Sequence, residues 1–141
     1  FTLRKHPDRG LTADTTTLSV TAGGSQHFAL DAGPTHAGKW YFLLGSMSGT
    51  EPGQVLDSVT VPLVPDDYTR FTIAHSNSAY LRNNLARLDA SGRAAVTLNL
   101  PPVLLLRLVG MNLFHAFVVF DIPGSGEASF ASNPFPLTLV R

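Results

Sequence analysis

Five histidines, His6, His27, His36, His75 and His115, are the first residues to weigh for chemistry. No two of them have the H-x-H or H-x-x-x-H spacing that lets a strand or a helix offer two imidazoles to one metal ion. His27 and His115 fall in strand-like runs, and His36 and His75 in loops. His115 stands in LFHAFVVFD among large apolar side chains and shares a strand face with Asp121 by period-two parity. A histidine in that setting reads as a hydrogen-bonded core residue rather than as a ligand. The acids Asp57, Asp66, Asp67, Asp89 and Asp121 lack the D-x-D-x-D spacing of a calcium loop. Asp66 and Asp67, after Pro65, read as a turn or cap. They are also the best oxygen donors for Ca²⁺, the one metal reading the sequence offers. Glu51 and Glu127 lie in turn-like contexts, unlike the facing carboxylates of a glycosidase. Gly45-Ser46-Met47-Ser48-Gly49 has serines at both inner positions but no strand-to-helix elbow around them. No phosphate-binding glycine loop is present, and cysteine is absent, which removes thiolate nucleophiles and disulfides together. The expectation is a chain without a catalytic constellation and without a cofactor: not an enzyme.

Binding is the remaining chemistry. Trp40, Tyr41, Tyr68 and Tyr80 combine a flat ring with a polar handle, the pairing that stacks on a pyranose face and hydrogen-bonds to its hydroxyls. Trp40, in the doubly apolar run KWYFLL, reads more readily as a core residue. Charge adds nothing to this: ten Lys and Arg balance ten Asp and Glu. A net charge near zero argues against nucleic acid and against a polybasic membrane surface. No apolar run approaches the roughly 20 residues of a membrane helix, so membrane insertion is not expected.

The elements that must position these residues are short strands. The chain has 141 residues, one domain's worth, of which 44% are hydrophobic and only 14% charged. Twelve glycines and ten prolines punctuate runs rich in Val, Leu, Phe and Thr, as in a sandwich or barrel. The pattern predicts an all-β, antiparallel β-sandwich of the immunoglobulin-like or jelly-roll-like kind, with about nine strands and one short crossover helix. Strands are expected at Thr16–Thr21, Gln26–Asp31, Lys39–Leu44, around Val59–Leu63, at Tyr68–Ile73, Leu85–Asp89, Ala94–Leu100, Leu113–Asp121, Ala128–Ala131 and Phe135–Val140. Lys39–Leu44 is apolar on both faces, which requires cover on both sides. Asp89-Ala-Ser-Gly92 reads as a tight hairpin turn. The helix is expected at Pro101–Val109, opened by proline and stopped by Gly110. Residues 1–15 read as a linker or a partner-dependent N-terminal strand, with Phe1 and Leu3 as its interaction residues, and 16–141 as the sandwich domain. The chain opens at Phe1 rather than Met, from which a longer precursor or parent chain is expected.

Several segments also carry a resemblance together: LDAGPTHAGKWYFLLGSMSGTEPG (Leu30–Gly53), VPLVPDDYT (Val61–Thr69), LDASGRAAVTLNLPP (Leu88–Pro102), HAFVVFD (His115–Asp121) and FASNPFPLTLV (Phe130–Val140). In order and spacing they resemble a β-rich domain of no assigned activity. It is found at the C-terminal end of many large secreted proteins of planctomycetes and related bacteria. The resemblance covers residues from about Thr16 to Val140. It implies export and an accessory position, and it transfers no active site. The function expected is a non-catalytic extracellular or cell-surface structural and interaction module. It would self-associate through strand edges or the N-terminal segment, with other protein chains or copies of itself as partners. The alternative is a carbohydrate-binding module serving a secreted enzyme, with polysaccharide as partner.

Overall fold

A computed structural model describes residues 10–102 and 106–141. Twelve strands and one α-helix follow in order: β1 (Gly10–Ala13), β2 (Thr17–Ser19), β3 (Gly24–Asp31), β4 (Trp40–Ser46), β5 (Gln54–Leu56), β6 (Val59–Val61), α1 (Asp67–Ala74), β7 (Leu81–Arg82), β8 (Leu85–Arg87), β9 (Arg93–Leu100), β10 (Asn112–Phe120), β11 (Ala128–Ala131) and β12 (Phe135–Val140). One sheet has the order β1-β3-β9-β7. The other runs β2-β12-β10-β4-β8, with β11 also on β10, and β5 and β6 form a separate ribbon. The architecture is mostly β and sandwich-like. Its pairs are antiparallel except β12 with β2, which run parallel.

Alternation builds the core between the two sheets. Phe28 and Leu30 of β3 and Val96 and Leu98 of β9 face Tyr41 and Leu43 of β4 and Leu113, Phe117 and Val119 of β10. Each such side chain stabilises by roughly 1.5–3 kcal/mol on burial. The opposite face of β10 is also covered. Ala116 and Val118 meet Val61 and Leu63 of the ribbon segment, with Leu44, Leu56 and Val59 packed around them. That is why LFHAFVVF and WYFLL lack the polar alternation of a half-exposed strand.

The strand count is twelve rather than nine because short pairings such as β2, β5, β7 and β8 add to the long runs. The boundary after residue 15 moves as well: Gly10–Ala13 pairs with β3 of the same chain and belongs to the sandwich. Phe1 and Leu3 lie outside the described residues. Tyr68–Ile73 is a helix, not a strand. Thr69, Phe71 and Ile73 do alternate, but Asp66 caps the helix, accepting from the Thr69 N–H at 3.0 Å, while the Thr69 hydroxyl accepts from the Asp66 N–H at 3.1 Å. This reciprocal box satisfies donors that an unsupported helix start leaves bare. In Pro101–Val109 the described part contains only a 3-10 turn at Leu106–Leu108; residues 103–105 of that expected helix lie outside the described residues. Asp89–Gly92 is a turn, but not a hairpin: β8 pairs with β4, and β9 with β3 and β7, so the turn carries the chain between sheets.

Helix α1 packs against the end of β4 because Gly45 has no side chain. A Cβ there would stand 2.3 Å from the Tyr68 ring and 3.0 Å from His115 Cδ2. Gly45→Ala should therefore force Tyr68 outward and destabilise the fold by about 1–3 kcal/mol. Urea denaturation reads the loss, and tyrosine near-ultraviolet dichroism reads the displacement.

Candidate functional site

The four ring candidates are not brought together. Tyr41 is fully buried and donates its hydroxyl to Asn83 O at 2.5 Å; burial pushes its pKa up to about 12. Trp40 occupies the other face of β4, half-buried and paired across strands with Phe120 and Arg87. It is thus not the core residue that its neighbours suggest. Tyr68 enters the end of the sandwich from α1. Tyr80, just before β7, is 42% exposed.

Tyr68 and His115 form the buried polar centre. The Tyr68 hydroxyl lies 2.7 Å from His115 Nε2. His115 is fully enclosed, and its ring stands 5.2 Å from that of Phe28. Burial, with no acid beside it to offset the cost, pushes the imidazole down to about 3. Burial first, then the charge of Asp66, raises Tyr68 well above the usual phenol range. Burial thus favours the uncharged form of both groups, and the hydrogen bond between them uses His115 Nε2. His115 Nδ1 and Gln26 Oε1 are buried without a hydrogen-bond partner among the described residues. Gln26 meanwhile donates through Nε2 to Thr15 O at 2.7 Å.

Asp66 is a clasp. Burial alone would raise its carboxyl, but hydrogen bonds from the Ser48 hydroxyl, the Thr69 N–H and the Met47 N–H outweigh that and hold it at about 2. Oδ2 accepts from Met47 N at 2.9 Å, Ser48 N at 2.8 Å and Ser48 Oγ at 2.7 Å. These donors and the capping box occupy both oxygens, so a cation would have to displace the contacts that join α1 to the loop after β4. Asp67 points to solvent and pairs with Arg70. The remaining ionisable candidates are dispersed. His27 pairs with Asp14 at 2.8 Å on the surface, and Asp121 binds Lys39 Nζ at 2.7 Å. Asp121 lies past the end of β10, so the parity with His115 brings no contact. His36 stacks near Phe130 with ring centres 5.4 Å apart, and His6 lies outside the described residues. Among the described residues no three His, Cys, Asp or Glu side chains gather as a metal ion requires. Also among these residues, no helix is long and apolar enough to cross a membrane.

Two accessible grooves meet at Ala79. One, of about 440 Å³, is lined by Gly24, Ser25, Tyr80, Asn99, Leu100 and Pro101. The other, of about 460 Å³, is lined by Asn77, Ser78, Arg82 and Asn83. Tyr80 is the aromatic wall of the first groove. The ring stands 6.0 Å from Phe71 and 6.2 Å from the exposed His75, both edge-on. Phe71 in turn stacks on Tyr68 at 6.0 Å. The rings thus run from the core at His115 to the surface at Tyr80. Backbone pairing fixes the groove floor: Asn99 N donates to Tyr80 O at 2.8 Å, Asn99 Nδ2 to Ala79 O at 2.9 Å, and Ser25 Oγ to Asn99 Oδ1 at 2.6 Å. Sequence reasoning found Tyr80 but missed Asn77, Asn83 and Asn99. Asparagine in a loop reads as a turn residue, and only the fold shows that three of them line one surface. No protein-family model matches the chain, and no curated protein does.

Two outcomes test the polar centre. Asp66→Ala should cost about 2 kcal/mol, from a lost cap and from loop amides left unpaired. The loss shrinks as pH falls from the ordinary carboxyl range towards 2, where the wild-type carboxylate is itself protonated. For His115 the unfolded chain takes up a proton below about pH 6.5 and the folded chain only near 3. Stability is then unaffected by this group above 6.5 and falls as pH drops through that window, by up to about 1.4 kcal/mol per unit. His115→Leu should flatten that part of a urea-denaturation pH profile.

Proposed function

We propose that the chain is a non-catalytic extracellular binding module, and that the grooves at Tyr80 take a neutral polar chain, a polysaccharide. The observation that carries this reading is the groove lining: one exposed ring, carboxamides, hydroxyls and a single guanidinium, with no carboxylate. A tyrosine face suits the C–H face of a sugar, and the second N–H of each carboxamide, beyond the one held by Leu85 O, Ala95 O or Ala79 O, suits its hydroxyls. The strongly perturbed ionisable groups support a binding role rather than a reactive one. Asp66, Asp121, Tyr68 and His115 all engage partners within the chain, away from these grooves. Secretion and an accessory place in a larger protein rest on the resemblance of Leu30–Gly53 and the segments after it. We read the sandwich as immunoglobulin-like or jelly-roll-like, which the repeated crossing of the chain between its sheets supports. Association with other chains through Phe1 and Leu3 is the second reading. It is favoured by their place ahead of β1, an outermost strand.

Affinity electrophoresis through gels carrying neutral soluble polysaccharides, with pull-down on insoluble ones, tests the first reading. Tyr80→Ala should lower retention at least tenfold with the fold intact, and Trp40→Ala, on another face, should leave it unchanged. Undiminished retention of Tyr80→Ala, or no retention of the wild-type chain on any of them, overturns it.

A further inference from the structure

An outermost strand presents N–H and C=O groups to which another chain can pair. Natural edges are often protected by charge, yet β1 (GLTA) and β2 (TLS) contain no ionisable side chain. In β1 the Asp14 N–H bond to His27 O sets the alternation, so the backbone N–H and C=O of Thr12 face β3 and those of Leu11 point away from it, while the Leu11 side chain is buried in the core. The outward groups of Leu11 are both taken by one side chain. Leu11 N–H donates to Asn133 Oδ1 at 2.8 Å, and Asn133 Nδ2 donates to Leu11 O at 3.0 Å. In β8 the Leu43 N–H bond to Asn84 O and the Leu88 N–H bond to Lys39 O leave Leu85 facing outward. Leu85 N–H donates to Asn77 Oδ1 at 3.1 Å, and Asn77 Nδ2 donates to Leu85 O at 2.9 Å. In β2 the Thr15 hydroxyl accepts from Thr17 N–H at 3.3 Å and donates to Thr17 O at 3.0 Å.

A carboxamide has the donor and the acceptor of a peptide group. Placed on an edge residue it supplies the two hydrogen bonds that an adjoining strand would supply. The fold makes room for this at β1. Gly10 has φ +112°, and a Cβ on it would stand 2.1 Å from Asn133 Oδ1. We propose that Asn133 and Asn77 are edge plugs that hold the module as a single chain, and that the partner they exclude is a second copy pairing edge to edge. A second copy fits because an antiparallel edge is self-complementary about a two-fold axis, and an uncharged GLTA strand offers no repulsion to its own image.

Sedimentation velocity over a rising concentration series tests the proposal on the whole chain. The wild type and Asn112→Ala should remain monomeric; Asn112 accepts from Thr138 Oγ1 on the strand surface and closes no outermost strand. Asn77→Ala/Asn133→Ala should shift to dimers or larger species, with a gain of intermolecular β signal in the infrared amide band. A folded double variant that stays monomeric, or a wild type that already dimerises, overturns the proposal. Where the double variant does not fold, amide hydrogen exchange on the wild type decides. The plugs require the Leu11 and Leu85 amides to exchange at least tenfold more slowly than the exposed Ala90 amide in the turn before β9, and equal rates overturn the proposal.

Discussion

Strand β10 must be covered on both faces, and most of the molecule follows from that. Phe117 and Val119 point into the space between the sheets, while Ala116 and Val118 point the other way, and all four are fully buried. A two-sheet sandwich covers only the first pair. The β5–β6 ribbon exists in that sense for the second: Val61 and Leu63 lie on Ala116 and Val118 and exclude water from a face that a simple sandwich would leave wet. β4 lies beside β10 over seven paired residues and shares this environment, from Phe120 opposite Trp40 to Phe114 opposite Ser46. Trp40, at the far end of this pairing, is half-buried.

The same strand brings His115, the one imidazole in the core, beneath α1. Its position fixes what that end of the sandwich can contain. Tyr68 has to enter far enough to meet Nε2, so β4 needs a glycine at 45. The helix carrying Tyr68 has to start where the β4 loop ends, so Asp66 grips Met47 and Ser48 as well as capping the helix. Thr69 and Thr72 then hydrogen-bond the backbone of Gly45. Each contact depends on the next, and each lowers chemical reactivity. The carboxylate of Asp66, the imidazole of His115 and the phenol of Tyr68 all hold contacts within the chain.

The sequence made long periodic elements legible and short cooperative ones illegible. Ala94–Leu100 and Leu113–Asp121 could be read as strands because seven residues of alternation and nine of near-continuous apolarity leave little ambiguity. KWYFLL foretold cover on two faces, though not which segment provides it. The helix was misread because YTRFTIA has a period-two component that burial does not use. Thr69 and Thr72 face inward at helical spacing, and the decisive signal was the Asp66-x-x-Thr69 box. Tyr80 was legible as a ring with a polar tip. The grooves beside it were not, since Ser25, Asn77 and Asn99 come from three separate segments and meet only through β3–β9 and β7–β9 pairing.

Low charge has a structural counterpart. A chain with 14% charged residues has few charges with which to guard edges or terminate pairing, and carboxamides take that work instead. Asn84 is fully buried; it accepts from Asn77 N at 2.7 Å and donates to Leu43 O and Thr72 O, tying α1, β4 and the loop before β7 together. Asn83 donates to Ala95 O and Asn99 to Ala79 O. Neutral groups can do this without the desolvation cost of an ion, and without the salt sensitivity that screening imposes on a charge-based defence. The surface that results is rich in amides, with a single guanidinium at Arg82 and a tyrosine ring at its edge.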